Sequence, residues 1–255
     1  MSNLSNREVH LAQNMFESSS TQKHLLGTRG FMTDGRVFRY VLAGATDLIP
    51  GTVVQSAVVQ AGHTNLALQT TTQTGIGASA LKVTVASCVA ANFFTEGYLV
   101  ISSGAGAGFM YQLDAHAAVS TGAVGTFSFY APNDANTLVT AITTTSTITL
   151  SANPYKGVII VPATTATGII VGVAPYVITA AQYGWIQTWG ICAVQAVGAF
   201  AMGQMLNGIA ATSGQCQFMS SPAACTSALV GQYIGEAYQT GVALTWTPIF
   251  LKVAP

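Results

Sequence analysis

"GVIIVPATTATGIIVGVAPYVITAA" occupies residues 157–181, and its reading decides the fold. As a single helix it would be long enough to cross a bilayer, which takes about 20 mainly apolar residues. Pro162, Gly168, Gly172 and Pro175 interrupt it, and the remainder is rich in Val, Ile and Thr. β-Branched runs punctuated by Gly and Pro read instead as two or three strands with turns. An outer-membrane barrel carries a weaker signature and is the harder membrane reading to set aside. The start, MSNLSNREVHLAQN, shows no basic segment leading into an apolar stretch, so neither a secretory signal nor a membrane role is expected.

The same grammar extends in both directions. RVFRYVLAG (36–44) and GTVVQSAVVQ (51–60) are strand-like and joined by a turn at Pro50-Gly51. ALKVTVASCVA places Leu81, Val83 and Val85 on one face, and Phe109, Tyr111 and Leu113 alternate likewise beyond the glycine turn SSGAGAGF (102–109). GTFSFYAP and STITLSANPY add two strands, and Leu244, Trp246 and Phe250 mark one more near Pro255. In 167–198, Gly172, Pro175, Gly184 and Gly190 are read as breaks between strands. Only residues 7–20 offer a helical stripe, through Val9, Ala12 and Phe16. The expected fold class is all-β with little helix. An extended N-terminal arm (1–35) is followed by two sandwich- or barrel-like blocks, 36–160 and 161–255, with a polar connector near 69–80.

Charge is scarce and unevenly placed. Charged residues make up 6% of the 255 residues, eight basic against eight acidic, where a soluble domain has roughly 25%. Nine lie in the first 47 residues: Arg7, Glu8, Glu17, Lys23, Arg29, Asp34, Arg36, Arg39 and Asp47. None occurs from Gly157 to Gly235. A free monomer keeps soluble with mixed surface charge. This composition points instead to faces covered by other protein chains or dressed in Thr, Ser, Asn and Gln. The balance gives no reason to expect nucleic acid, which is bound through clustered Lys and Arg.

No motif for chemistry stands out. SSGAGAGF lacks the Lys-Ser/Thr of a phosphate loop and suits a turn with positive φ. The histidines (His10, His24, His63, His116) lack metal spacing, and no Cys-x-x-Cys occurs among Cys88, Cys192, Cys216 and Cys225. Reduced thiols are expected, with a Cys216–Cys225 bond left open. Asp114 and His116 share a strand face if the segment is extended, the one pair for a hydrolase reading; no G-x-S-x-G accompanies it. No catalytic, cofactor or metal residue is assigned. In YGWIQTWG (183–190), Tyr183, Trp185 and Trp189 alternate onto one face. That stripe reads as core or as an interface anchor, ahead of a sugar platform.

GTRGFMTDGRVFRYVLAGATDLIPGTVVQ (27–55), NPYKGVII (153–160), AQYGWIQTWGICAV (181–194), VGQYIGEAYQTG (230–241) and PIFLKVAP (248–255) resemble pieces of small virion structural proteins of tailed bacteriophages. The layout is similar to head decoration (cement) proteins with a β-tulip-type domain. The resemblance implies a β-tulip-like C-terminal block and a non-enzymatic protein of the capsid surface, made in the host cytoplasm. Its implied partners are the major capsid protein and copies of itself, as a trimer or dimer. The charge cluster Lys23, Arg29, Arg36 and Arg39 is expected on a docking arm that pairs with coat-protein carboxylates, as against a plain hairpin turn at Asp34-Gly35 with solvated arginines around it. The alternative is a tail or head-fibre component binding host glycans through the 183–189 stripe.

Overall fold

The structure, a computed structural model, describes residues 9–10, 14–69, 75–130, 136–163, 165–208, 210–219 and 232–255. The described residues form strands and no α-helix. In chain order these are β1 (Val9–His10), β2 (Arg29–Phe31), β3 (Val37–Ala43), β4 (Val53–Gln55), β5 (Leu66–Ala67), β6 (Ala80–Thr84), β7 (Tyr98–Ser103), β8 (Met110–Gln112) and β9 (Val124–Ser128). There follow β10 (Thr147–Ser151), β11 (Lys156–Ile160), β12 (Ile170–Val173), β13 (Tyr183–Gln195), β14 (Met205–Asn207), β15 (Gln217–Phe218), β16 (Tyr233–Ala237) and β17 (Trp246–Lys252). Fold class is thus all-β. The helix expected over 7–20 is absent from its described part. Val9–His10 pairs in parallel with β2, and Ser19 forms a bridge to Tyr183.

The chain divides into two compact units, Met1–Val58 with Pro154–Pro255, and Val59–Asn153. This differs from the division expected at 160. The reason is pairing: Ile159 and Ile160 of β11 lie opposite Gln55 and Val54 of β4. The chain leaves one sheet after β4, builds a separate unit, and returns to the strand it left. A reading in chain order sees contiguous blocks and not a unit completed from both ends.

In the first unit, β3, β11, β4, β12 and β13 pair in succession, and β13 also pairs with β3, closing a five-stranded barrel. Val41, Leu48, Val54, Val158, Val171, Ile178 and Ile186 form its core. β13 continues past the barrel into an open sheet with β17, β16, β14 and β15. There a second core gathers Val53, Ile170, Val173, Cys192, Val194, Leu206, Ile249 and Leu251. Adjacent residues of β4 (Val53, Val54) and β12 (Ile170, Val171) thus enter different cores. Strands covered on both faces have no polar face to show and read as continuous apolar runs. That burial accounts for much of the charge-free stretch that looked like a membrane segment.

Gly184 and Gly190, expected as breaks, lie inside β13. A Cβ at Gly184 would lie 2.4 Å from the Tyr176 hydroxyl, so the bare backbone makes room for that phenol. Gly190 has φ of 91°, a left-handed conformation within a strand that glycine adopts without strain.

In the second unit, the sheet β5-β10-β7-β8 and the β6-β9 ladder bury a common core of Leu81, Val83, Val85, Phe94, Leu99, Ile101, Leu113, Phe127 and Ile148. Gly104, Gly106 and Gly108 take φ of 78°, 78° and 91°, forming the turn expected between β7 and β8. Tyr111 and Leu113 point inward as expected. Phe109 does not: its N–H still bonds the Gly106 carbonyl within the turn, and its ring is exposed.

His63 is 1% exposed in this core, its ring edge-on to Phe94 at 5.1 Å, and neither ring nitrogen has a hydrogen-bond partner among the described residues. Burial pushes its pKa below the ordinary 6.5. The unfolded chain therefore binds the proton more readily, and this unit loses stability as pH falls below about 6.5 toward the depressed folded value. Amide exchange in the second unit should accelerate between pH 7.5 and 5 beyond its intrinsic pH dependence, and His63→Leu should flatten that excess. An excess unchanged by the substitution would count against His63 as its source.

Candidate functional site

The charged segment 24–40 folds into a hairpin on the first unit. β2 and β3 pair antiparallel across a turn in which Gly35 has φ of 85°. The Asp34 carboxylate accepts the Arg36 backbone N–H at 3.1 Å and its Nε–H at 2.7 Å. The Arg36 guanidinium also lies 5.8 Å from the Phe38 ring centroid. Lys23 Nζ stands 3.6 Å from Glu17. Arg39 donates to the Gly27 carbonyl and to a main-chain oxygen of Pro255, each at 3.2 Å. Arg29 is exposed and sits directly opposite Arg39 in the ladder. Two of the four expected docking cations, Lys23 and Arg36, are thus committed to acids of their own chain.

Residues 14–31 form a strap on the chain's own barrel. Met15 and Leu26 are buried with Phe38, Tyr40 and Trp185. Ser19 and Tyr183 exchange two backbone hydrogen bonds, of 2.9 and 2.8 Å. The Tyr176 hydroxyl donates to the Glu17 carbonyl and accepts the Trp185 N–H. Burial pushes that phenol up to about 12, so it stays a donor at neutral pH. The His24 ring lies 5.2 Å from Tyr40 and 5.3 Å from Trp185. The expected arm therefore spends its apolar side chains at home over much of its length.

The aromatic stripe of 183–189 is divided by this strap. Trp185 is 0% exposed and offers no ring face to a sugar. The ladder with β3 shifts register between Gln187 and Trp189. Beyond the shift, half-buried Trp189 packs edge-on against Phe250 at 5.6 Å, while Tyr183 stacks on Tyr40 at 5.9 Å.

An exposed face of the first unit lies farther along β13. On β17, Thr247, Ile249 and Leu251 point inward, so Trp246, Pro248 and Phe250 share the outer face. Ile191 pairs with Phe250, Phe250 with Glu236 of β16, and Glu236 with Met205 of β14, forming one row across four strands. Trp246 is 59% exposed and Met205 57%. Glu236, inside this row, pairs with Lys252 Nζ at 2.7 Å, the one ion pair on the face among the described residues. Beside it, an open cleft of about 210 Å³ is lined by Phe16, Pro50, Pro175, Ile191 and Trp246, among others. Trp246 rests on Gly51, where a Cβ would come within 2.6 Å of the indole. Strand parity could have identified this face, because Trp246 and Phe250 alternate with the inward residues.

The Asp114–His116 pair does not assemble. Asp114 is exposed, whereas the buried His116 ring accepts the Phe94 N–H on Nε2 (2.9 Å) and bonds the Ala117 carbonyl through Nδ1 (2.9 Å). Both nitrogens are thus engaged by backbone. Among the described residues, no three His, Cys, Asp or Glu side chains are grouped to hold a metal, and no helix is long and apolar enough to cross a membrane. Cys192 and Cys216 are buried free thiols, each pushed up to about 12 chiefly by burial; Cys88 is exposed. Cys225 lies outside the described residues, and with it the Cys216–Cys225 question.

No protein family, curated protein or solved structure matches this chain.

Two outcomes are expected. Leu26→Ala should destabilise the first unit by about 2–3 kcal/mol, read by urea unfolding, because it opens the strap over Trp185; an effect near zero would mean that the strap does not seal the core. Under native conditions, maleimide should label Cys88 and spare Cys192 and Cys216 until denaturant is added, as mapped by peptide mass spectrometry.

Proposed function

We propose that this chain is a structural, non-enzymatic assembly protein of the capsid-decoration type. In this reading it forms a homo-oligomer on the outer surface of a phage head and braces the coat-protein lattice. The observation that carries the reading is the outer face of β13, β17, β16 and β14, where Trp246, Ile191, Phe250 and Met205 meet water with one ion pair among them.

Trp and Met are enriched where partners bury a surface, and charged residues are depleted at the centre of such patches. A stable oligomeric interface typically buries about 2,000 Å² or more. The apolar side chains that β13, β17 and β14 show on this face, with Glu236 of β16 paired to Lys252 among them, supply a core for one. The phage assignment itself rests on the likeness of segments 27–55 and 181–194 to virion structural proteins of tailed phages, and of the layout through 168–190 and 230–241 to decoration proteins. The strap changes the expected anchoring. With residues 14–31 packed at home, contacts to a coat protein fall to the exposed side of the β2–β3 hairpin and not to a free arm.

Sedimentation should give a native mass that is a multiple of 26.3 kDa. The protein should also co-sediment with phage shells stripped of decoration. Trp246→Arg should shift the mass to that of one chain while leaving the strand spectrum unchanged. A wild-type chain that stays monomeric at high micromolar concentration, with no affinity for shells, would overturn the proposal.

A further inference from the structure

The cleft beside Trp246 contains polar groups whose bonding is incomplete. Phe16, Pro50, Pro175, Ile191 and the Trp246 indole give it apolar walls. Apart from the indole, only Gln187 and Arg36 among the lining side chains offer nitrogen or oxygen. Gln187 is 2% exposed, and its amide N–H groups are spent on the Trp189 and Ile191 carbonyls. No group among the described residues donates to its Oε1. Arg36 directs Nε–H to Asp34 and Nη2 to the Met32 sulfur, and its Nη1 has no acceptor among the described residues. One acceptor and one cationic donor thus stand between apolar walls.

A hydroxyl matches both, since it donates one hydrogen bond and accepts others. The volume, about 210 Å³, lies below the roughly 300–1,000 Å³ of small-molecule pockets and suits one aromatic side chain. A sugar would set several hydroxyls against prolines and aromatic rings, and polar groups left unpaired there are costly. A phenol brings one hydroxyl and a ring that packs on indole.

The chain carries such a group on the same face. Of its nine tyrosines, all described, only Tyr238 is more exposed than covered, at 55%. It follows β16 two residues beyond Glu236 and so shares that residue's outer side. Ala237 pairs with Ile249, which brings Tyr238 level with Pro248; Ala193, in the cleft, pairs with Pro248 from the other side. Tyr238 and Ala193 therefore flank β17 at one level. A two-fold axis along β17 exchanges the flanks and sets Tyr238 of each copy over Ala193 of the other. Such an interface is self-complementary, so each contact occurs twice.

We infer that the cleft receives the Tyr238 side chain of a second copy. The ring packs on Trp246, and the hydroxyl donates to Gln187 Oε1 and accepts from Arg36. The inference rests on the reading of the chain as an assembly protein and names the two-fold pair and its anchor.

In sedimentation equilibrium, Tyr238→Ala should self-associate at least about thirtyfold more weakly than wild type. Tyr238→Phe, which loses only the hydroxyl, should do so about three- to tenfold more weakly. Circular dichroism of both should match wild type. With Cys88 and Cys225 changed to Ser, an equal mixture of Tyr238→Cys and Ala193→Cys chains treated with a short bis-maleimide should give an interchain 238–193 link by mass spectrometry. In the dispersed Tyr238→Ala chain, p-cresol should shift the Trp246 Nε1–H NMR signal and methyl glucoside should not. A wild-type oligomer that keeps its strength in Tyr238→Ala and gives no 238–193 link overturns this contact and leaves the assembly reading standing. A wild-type chain that stays monomeric overturns the assembly reading and, with it, the second copy as occupant. A methyl glucoside response equal to that of p-cresol would replace the phenol with a sugar and overturn the contact as well.

Discussion

One strand holds the first unit together. Residues 183–189 of β13 pair with β3 and close the barrel, and residues 189–195 pair with β17 and carry the open sheet. The change of partner is fixed at a single place. The buried Gln187 side-chain amide donates to the carbonyls of Trp189 (3.0 Å) and Ile191 (2.8 Å), while Thr188 Oγ1 donates to Ala254 (2.7 Å). The shift leaves the Trp189 and Ile191 carbonyls, both partly buried, without a ladder partner on this side, and the Gln187 amide supplies one. Ile186 enters the barrel core, Trp185 the strap core, and Cys192 and Val194 the core under the open sheet.

This arrangement explains what could be read from the residues and what could not. Strands with one covered face alternate, and β6, with Leu81 and Val83 inward, was legible for that reason, as was the glycine turn after β7. β4 and β12 lie between two cores and show no polar face, and β12 falls inside the 157–181 stretch whose length alone would suit a membrane helix. Gly184 and Gly190 looked like breaks because their reasons are tertiary: a phenol tucked under one, and a left-handed turn of the strand at the other. The division into units was hidden, because β11 returns to pair with β4 across a long intervening stretch of chain. At the candidate site, the parity of Trp246 and Phe250 was visible, but which strands extended their face was not. The arginines were conspicuous in the sequence, yet only the ladder separates the paired Arg36 from the opposed Arg29 and Arg39.

The scarcity of charge has two physical sources. Two-sided burial of β4, β12 and much of β13 explains why charge is missing from their run. It does not explain Trp246, Met205, Met202 or Leu244, which face water. Scattered apolar side chains are ordinary on any protein surface. Ile191, Phe250 and Met205 in one row interrupted by the ion-paired Glu236, with Trp246 and a cleft beside them, are the feature that calls for a covering partner.

Oxidative footprinting of the native protein tests that covering most directly. The account predicts that Trp246 and Met205 are oxidised far more slowly in the assembled wild-type protein than in a dispersed Ile191→Arg variant, with exposed Met202 as an internal reference. Oxidation of Trp246 and Met205 in the native protein at the rates of an unfolded chain would contradict it.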